Sequence, residues 1–372
     1  MVEAGSVDVS ATVPGQTAFQ SVTFDGTFSR TPVVFVMPTD AGADPASLRI
    51  RNVTVSGFEI APVEPSNEDG VHPGMPGVAY LAVEPGRAEI APGVYVDAGV
   101  HTTASTVQRQ PPFGDGGSYD TVRLRHTFGS TPAVLATIQT ANNEANQPPG
   151  EPSTPWLTPS VNGLQTDRFD LALERSEVAD GSAVTVPERI GYLVIQTTSG
   201  TLTDTAGNPV DWQAFITGDV IRGHNEGEEL IAFAPAFAGA PLVVANKASK
   251  DGGDGGWLRR GTLTATQVGL FVDEDQFNDT DRSHTTEQAS LAAFERAFTA
   301  NLANAPITIV WTAGAGTGDW DDTTPARNWD LWDGDPANLA PGDSLLFNDT
   351  GAAQTTATVA AAYTAGVGEV RF

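Results

Sequence analysis

Apolar and polar residues alternate along the stretch from Gln20 to Ile60, and this alternation is the clearest signal in the chain. Val22 and Phe24 follow it before a break at Thr31-Pro32, and it continues after the break. A period of two residues is typical of antiparallel strands that bury one face. Pro32 falls at the first position of a strand, where its missing N–H is tolerated. The stretch therefore predicts a set of half-buried antiparallel strands.

The same order of elements occurs twice more: an apolar strand, a Phe, a small residue, a Pro and a second apolar strand. The further copies read VRLRHTFGSTPAVLATIQ at 122–139 and LIAFAPAFAGAPLVVANKAS at 230–249. In all three copies the Phe and the Pro are four residues apart, at Phe28 and Pro32, Phe128 and Pro132, and Phe237 and Pro241. A fixed order that repeats indicates one structural module in three copies. We place these modules at 1–84, 85–197 and 198–305.

Composition favours an all-β fold. The 372 residues include 39 Gly and 26 Pro and few long runs with a helical period, which favours sandwiches or barrels joined by loops. The chain has no cysteine, so a disulfide framework, a thiolate metal site and a cysteine nucleophile are excluded. We predict three tandem antiparallel β-sandwich modules followed by a C-terminal segment of short β-strands.

The charge of the chain narrows the choice of partners. With 46 acidic and 19 basic residues the net charge is −27, and phosphate groups need clustered cations. Nucleic acid and anionic membranes are therefore poor partners for this surface. The acidity favours solubility, including solubility in a salty medium, over a specific cationic partner. The most apolar stretch, Leu230 to Asn246, contains Pro235 and Pro241 and indicates two strands and a turn rather than a membrane span.

Two short segments carry expectations about organisation. Val2 to Val7 (VEAGSV) matches Val83 to Ala88 (VEPGRA), so we expect the chain to begin on the closing strand of a module whose body is absent. Pro148 to Pro159 reads PPGEPSTPWLTP, and its prolines predict a surface loop.

The pattern changes in the last segment, 306–372. Trp311, Trp320 and Trp329 are nine residues apart, and a Pro-Gly-Asp turn precedes the strand-like run in DSLLFND at 343–349. This segment resembles the opening of the autotransporter-associated β-strand repeat. The resemblance implies the first part of a β-solenoid in a large bacterial surface protein, and hence a cell-surface or extracellular location.

The three modules resemble the H-type lectin domain. The match rests on QSVTFDGTFSRTPVVFV at 20–36, RIRNVTVSGFEI at 49–60, the acidic loop EPSNEDGVH at 64–72 and the closing strand VAYLAVEPG at 78–86. The resemblance implies a six-stranded antiparallel sandwich that binds sugars and often forms trimers. The implied partners are glycans or a cell-surface polysaccharide, together with further copies of the chain in a homo-oligomer.

In that family an arginine before the GF strand and a Trp-His pair in the loop after it grip the sugar. Arg51 stands at the arginine position of the first module, and Arg259 or Arg260 takes it in the third. The Trp-His position is occupied by Pro65-Ser66, Ser176-Glu177 and Phe277-Asn278 in the three modules. Only Phe277 supplies a ring, and no module keeps the histidine.

The loops after these strands are also the polar clusters that the residues themselves single out. Planar amide and carboxylate groups bind sugar hydroxyls, and an aromatic ring packs on the C–H face of a sugar. A solvated hairpin loop would have the same composition, so both interpretations stay open. The candidate sugar-binding residues are Arg51, Glu64, Asn67, Asp69 and His72 in the first module, and Arg260, Asp275, Phe277, Asn278 and His284 in the third.

Calcium is an alternative ligand for the loop of the third module. Asp273, Asp275, Asp279 and Asp281 offer oxygen ligands at alternating spacing, which suits a hard cation, although no D-x-D-x-D-G loop is present. We expect no other cofactor. His72 and His284 both precede the closing strand of their modules, a place where a histidine can hold the loop through a hydrogen bond.

No motif of an enzyme occurs in the chain. H-E-x-x-H, G-x-S-x-G and Walker sequences are all missing, and carboxylates close together in so acidic a chain do not indicate a tuned acid–base pair. The sequence therefore predicts a non-catalytic array of carbohydrate-binding or adhesion modules. The alternative is a structural spacer, or a self-assembling subunit of a stalk or fibre, that binds no sugar.

Overall fold

The computed structural model describes residues 1–109, 115–144, 149–175, 183–277, 280–311, 343–347 and 369–371. Within these ranges the chain is all-β, which confirms the predicted fold class, and the helical structure is limited to a 3-10 turn at His224–Glu226. In the same ranges no helix is long and apolar enough to cross a membrane.

The first module is a sandwich of two antiparallel sheets. Its strands are β1 (Val2–Val9), β2 (Gln20–Thr23), β3 (Val33–Val36), β4 (Ser47–Thr54), β5 (Gly57–Val63) and β6 (Met75–Val83). One sheet has the order β1-β6-β3 and the other β2-β5-β4. Aromatic rings fill the space between them: the centroids of Phe24 and Phe28 are 4.9 Å apart, and those of Phe58 and Tyr80 are 5.7 Å apart.

The second module repeats this topology. Its segment contains β7 (Gly86–Ala91), β8 (Val94–Thr103), β9 (Thr106–Arg109), β10 (Asp115–Gly117), β11 (Asp120–Arg123), β12 (Ala133–Ile138), β13 (Thr158–Asn162), β14 (Arg168–Glu174) and β15 (Glu188–Ile195). The order β8-β15-β12 corresponds to β1-β6-β3, and β11-β14-β13 corresponds to β2-β5-β4. The register agrees, because Phe35 lies opposite Leu81 in the first module and Leu135 lies opposite Leu193 in the second.

The third module has the same topology again. Its segment contains β16 (Thr198–Thr203), β17 (Pro209–Ile216), β18 (Glu229–Ala232), β19 (Leu242–Lys247), β20 (Trp257–Leu263), β21 (Gln267–Asp273) and β22 (Ala289–Phe294). Its sheets have the orders β17-β22-β19 and β18-β21-β20, and Val244 lies opposite Ala292.

Connecting strands join the modules into a closed ring. β7 pairs with β8, and β16 pairs with β17, so the strand after each module extends the sheet of the next. After the third module, β23 (Phe298–Ala300) returns to pair with β1, and β24 (Ala303–Asn304) pairs with β7. The segment 198–305 therefore contributes strands to the sheets of all three modules. We call this closed arrangement the ring.

β1 corrects the expectation for the start of the chain. It lies between β6 and β23 in the first module's own sheet, so it is not the closing strand of another module. Val2 lies directly opposite Val83, and the rest of the matched segment, Glu84 to Ala88, lies beyond β6 and leads into β7.

The sheets that contain β3, β12 and β19 pack against one another in a shared core. Phe35, Leu135 and Val244 occupy equivalent positions, and all three belong to this core. The neighbouring residues Val34 and Val134 point instead into the cores of their own sandwiches. Because these sheets are buried on both faces, every residue of β3 is buried.

The Pro-rich segment is not a surface loop in its described part, so that prediction is wrong. Trp156 is 1 % exposed, and its ring centroid lies 4.6 Å from that of Trp257 in the third module. The Ser153 N–H donates to the Glu64 carbonyl of the first module at 2.8 Å. The segment covers the place where the modules meet, and burying the large Trp156 ring holds it there.

Three short strands of the last segment pair in parallel: β25 (Thr308–Trp311), β26 (Ser344–Phe347) and β27 (Glu369–Arg371). Thr308 lies opposite Ser344, which lies opposite Glu369. Trp320 and Trp329 lie outside the described residues.

Candidate functional site

The predicted sugar-binding residues of the first module do not form one site. Glu64 and His72 are fully buried, whereas Asn67 and Asp69 are exposed. Arg51 pairs with Glu59, its Nε donating to Glu59 Oε2 at 2.8 Å. Glu59 lies in β5 and Glu64 directly follows that strand, so extended backbone of about 16 Å separates the two residues.

The two buried residues of this loop act on the loop itself. Glu64 Oε2 accepts the Gly70 N–H at 2.9 Å, and burial raises the pKa of Glu64 to about 7. The His72 N–H donates to Thr12 Oγ1 at 2.8 Å, and its Nδ1 lies 2.7 Å from the Pro73 carbonyl oxygen. Burial lowers the pKa of His72. Glu64 and His72 therefore stabilise the loop rather than face solvent.

Asp273 of the third module is engaged by two arginines. Its Oδ2 accepts from Arg259 Nη1 at 2.7 Å, and its Oδ1 accepts from Arg282 Nε at 2.7 Å. All three side chains are almost completely buried. Asp273 is thus the counter-charge of an arginine pair, and both of its oxygens are occupied.

These arginines hold the first module against the third. Arg259 Nε donates to the Thr39 carbonyl at 2.9 Å and its Nη2 to the Ala41 carbonyl at 2.5 Å, while Arg282 Nη1 donates to the Ala43 carbonyl at 2.7 Å. Backbone bonds between Arg260 and the flanking residues of Thr39 add to the contact. We call this the sealed contact.

His284 lies between two buried carboxylates. Its Nδ1 contacts Glu274 Oε1, and its Nε2 lies 3.0 Å from Glu287 Oε1. Burial favours the neutral ring, but the hydrogen bonds to both glutamates outweigh it and raise the pKa of His284. Burial likewise opposes ionisation of Glu287, but the bond from His284 and the charge of Lys247 lower its pKa to about 2. Glu287 also accepts hydrogen bonds from Ser249 Oγ and from the Asp251 N–H. The pair of His284 and Glu287 therefore holds the loop after β19 in place.

The remaining predicted residues of the third module are dispersed. Arg260 donates from Nη2 to the Gly77 carbonyl at 3.1 Å, and burial lowers its pKa. Asp275 is buried and accepts the Phe277 N–H at 3.1 Å, whereas the Phe277 ring is 44 % exposed. Asp281 is exposed and caps Ser283. Asn278 and Asp279 lie outside the described residues, and the described part of the chain contains no group of three or more His, Asp or Glu side chains that could hold a metal ion.

The contact between the second and third modules rests on residues that sequence reasoning missed. Glu174 is fully buried, with Oε2 3.3 Å from Lys247 Nζ and Oε1 3.8 Å from Lys250 Nζ. Asn246 bridges the same modules, its Oδ1 accepting the Ala136 N–H at 2.8 Å and its Nδ2 donating to the Val134 carbonyl at 3.2 Å.

The contact between the first and second modules uses equivalent positions. Arg49, which corresponds to Arg259 in the strand register, donates from Nη2 to Glu144 Oε2 at 2.6 Å. Gln139 exchanges two hydrogen bonds with the backbone of Val34, at 2.9 and 2.8 Å. A sequence signal for this role did exist, because Leu48-Arg49 and Leu258-Arg259 are the same dipeptide on equivalent strands.

A groove of about 550 Å³ remains beside this contact. Arg189 and Asn52 at its rim are exposed, and Asn52 has a left-handed backbone with φ of 50°. We call this the groove, and the contact that it borders the open contact. Its lining residues are Arg30, Thr31, Pro32, Val33, Asn52, Val53, Pro85, Val100, Gln139, Thr140 and Arg189.

The comparisons with known proteins add no relative. No protein-family model, no curated protein and no solved structure matches the chain.

Proposed function

We propose that the chain is a non-catalytic carbohydrate-binding or adhesion unit, and that the groove of the open contact is its glycan site. The observation that carries this proposal is the groove itself, whose volume of about 550 Å³ suits one or two sugar rings. Elsewhere the buried polar residues expected to bind sugar, among them Glu64, His72 and His284, hold loops in place. The groove is where polar side chains of two modules meet solvent.

The chemistry of the groove suits hydroxyl groups. The exposed amide of Asn52 offers both a donor and an acceptor, and the exposed guanidinium of Arg189 offers donors. The partly exposed Val53 supplies an apolar surface for the C–H face of a sugar. None of the described residues that line the groove carries a carboxylate to bind calcium, and we expect binding to be independent of that ion.

A glycan array probed with the full chain, with and without calcium, tests this proposal. We expect a restricted set of glycans to bind, and Asn52→Ala and Arg189→Gln each to weaken binding about tenfold, the effect of losing one or two hydrogen bonds. Arg296→Gln, a surface change on the third module, serves as the control and leaves binding unchanged. A blank array from correctly folded protein in both conditions would contradict the proposal.

The second candidate is a structural spacer or self-assembling subunit without sugar binding. The observation that favours it is the burial of Glu64, His72, Asp273 and His284, since these residues of the predicted binding loops hold the modules and their loops together. A rigid ring of this kind would suit a long stalk. A blank array together with ordered assembly in electron micrographs would select this function.

The same proposal includes a location at the bacterial cell surface or outside the cell. Its support is the parallel pairing of β25, β26 and β27, because successive turns of a β-solenoid pair in parallel.

A homo-oligomer is not needed to complete the sandwiches, since three modules of one chain already surround the shared core.

A further inference from the structure

The wall of the groove differs in charge from the chain as a whole. The chain has 46 acidic and 19 basic residues, yet the described residues that line the groove include Arg30 and Arg189 and no Asp or Glu. Arg30 is partly buried, and its Nη1 donates to the Pro85 carbonyl at 3.2 Å. Arg189 is exposed. A ligand that enters the groove therefore meets cationic side chains in an otherwise acidic protein.

The strand register shows where the Arg189 side chain points. Successive residues of β15 point to opposite faces of the sheet, so Arg189 shares a face with Gly191 and Leu193. Leu193 belongs to the shared core, and a Cβ added at Gly191 would lie 3.0 Å from Val33 Cβ of the first module. This face of β15 is therefore turned towards the first module. Arg189 projects from it about 7 Å along the strand from Gly191, where the groove lies.

Glu188 does not neutralise Arg189, although the two residues are adjacent. The Glu188 side chain points to the other face of β15, where its Oε2 accepts from Thr140 Oγ1 at 2.5 Å and its Oε1 from the Asn143 N–H at 2.9 Å. Its Oε1 also lies 3.8 Å from Arg49 Nη2. In the part of the chain that the structure describes, no carboxylate forms an ion pair with Arg189. Its positive charge is therefore available to a ligand.

An available guanidinium favours a ligand with a carboxylate. Both groups are planar, and two parallel N–H···O bonds can join them. Such bonds are about twice as strong as those between neutral groups, so an acidic sugar gains more from Arg189 than its neutral counterpart does. Asn52 and Val53 of the first module remain for the hydroxyl groups and the C–H face of the same sugar.

The net charge of −27 limits how many carboxylates the ligand can carry. An acidic surface repels a polyanion along its whole length. A single carboxylate in contact with Arg189 is affected less, because charges further away than about 8 Å are largely screened at physiological ionic strength. The charge distribution therefore favours a short ligand with one carboxylate.

We propose that the groove prefers saccharides of the uronic-acid class, with one carboxylate, and that Arg189 binds this carboxylate. The inference rests on the proposed function, because it names the class of glycan that the groove takes. It assigns the preference for an acidic sugar to the second module and the contacts with hydroxyl groups to the first.

Binding of matched pairs of sugars to the full chain tests the preference. The pairs are disaccharides that end in glucuronic acid or glucose, and in galacturonic acid or galactose. We expect wild type to bind the acidic member of at least one pair about tenfold more tightly, the difference between charged and neutral hydrogen bonds. Equal affinity for both members of each pair would overturn this inference and leave the glycan proposal standing. No binding of any sugar on the pairs or the array would overturn both.

Variants of Arg189 test which residue sets the preference. Arg189→Gln keeps a donor but loses the charge, so the ratio of the two affinities should fall to about one, whereas Arg189→Lys should keep part of the preference. Arg168→Gln removes a charge from the same module outside the groove and should keep the wild-type ratio. A preference that survives in Arg189→Gln would overturn the assignment. Should that variant fail to fold, the ratio of wild type decides the question.

Discussion

The sealed contact between the third and first modules and the open contact between the first and second are built from equivalent strands, yet they differ in what they leave accessible. In the sealed contact Arg259 and Arg282 share Asp273 and donate to four carbonyls of the first module. In the open contact the equivalent Arg49 pairs with Glu144, and a groove of about 550 Å³ remains beside it. A repeated module can thus close the fold at one contact and keep a polar groove at another.

The difference comes from the residues that surround the equivalent arginines. In the sealed contact the backbone N–H of Arg260 donates to the Pro38 carbonyl at 2.9 Å, and Asp40 N–H donates to the Arg260 carbonyl at 2.9 Å, which brings the chains together. In the open contact β4 continues to Thr54, with a register shift after Arg51, and Asn52 within that shift has a left-handed backbone. The proposed function therefore belongs to the contact in which the backbone does not close.

Removing the charge at the centre of the sealed contact should give the largest effect. Asp273→Asn leaves two buried arginines without a counter-charge and is expected to lower the free energy of unfolding by about 3–5 kcal/mol. Glu144→Gln in the open contact should cost only about 1–2 kcal/mol, because burial raises the pKa of Glu144 and so its ionised form is poorly stabilised. Urea unfolding of both variants measures the two values. Equal losses would show that the contacts are energetically alike.

The open contact should also respond more strongly to pH. Glu64, whose carbonyl accepts from the second module, has a pKa raised by burial from 4.5 to about 7. A carboxyl with a raised folded pKa contributes stability at pH below 4.5 and loses it as the pH rises through about 7. We expect wild type to lose up to about 3 kcal/mol over this range relative to Glu64→Gln, which cannot ionise. A constant difference between the two proteins from pH 4.5 to 8 would contradict this assignment.

Replacing the equivalent histidines of the first and third modules should lower the free energy of unfolding by less than the changes above. The two losses should depend on pH in opposite directions. His284→Gln is expected to cost about 2 kcal/mol at pH 6, because two hydrogen bonds to charged groups are lost, and the cost should shrink as the pH rises above 6.5 through the raised pKa. His72→Gln should cost about 1 kcal/mol or less. Because burial lowers the pKa of His72, its contribution is present above pH 6.5 and lost as the pH falls. Urea unfolding at pH 5, 6 and 8 compares the variants, and parallel pH profiles would contradict the two environments.

Phe277→Ala should have the smallest effect. The ring is 44 % exposed and is not part of the groove wall, so glycan binding should be unchanged and stability altered by less than about 0.5 kcal/mol. The array experiment measures binding of this variant beside wild type. Loss of binding would move the site from the groove to the loop of the third module.

The sandwiches could be predicted from the sequence because burial of one face imposes a period of two on every strand. Phe24, Phe58 and Val34 accordingly lie in the core of the first module. The contacts between modules could not be predicted, since Arg259 and Thr39 are 220 residues apart and no local pattern connects them. The module repeat showed only that equivalent surfaces exist, and not which of them would be covered.

The choice of arginine illustrates the same limit. Arg49 and Arg51 are two residues apart on one strand and therefore lie on the same face. The family resemblance pointed to Arg51, but the second module covers only Arg49, which is 5 % exposed. Likewise, Glu64 and Asp273 were assigned to ligands because Asp and Glu favour exposed loops, whereas both are buried, Glu64 accepting the Gly70 N–H and Asp273 pairing with Arg259 and Arg282.

A cysteine cross-link tests the closure of the ring most directly. Glu89 in β7 and Ala303 in β24 are opposite partners in an antiparallel pair, a separation that a disulfide can span, and the natural chain has no cysteine to compete. In the full-length variant Glu89→Cys/Ala303→Cys we expect complete oxidation within single chains, seen as faster migration on a non-reducing gel. Free thiols in folded protein, or disulfides only between chains, would show that the strands after the third module do not return to the other modules.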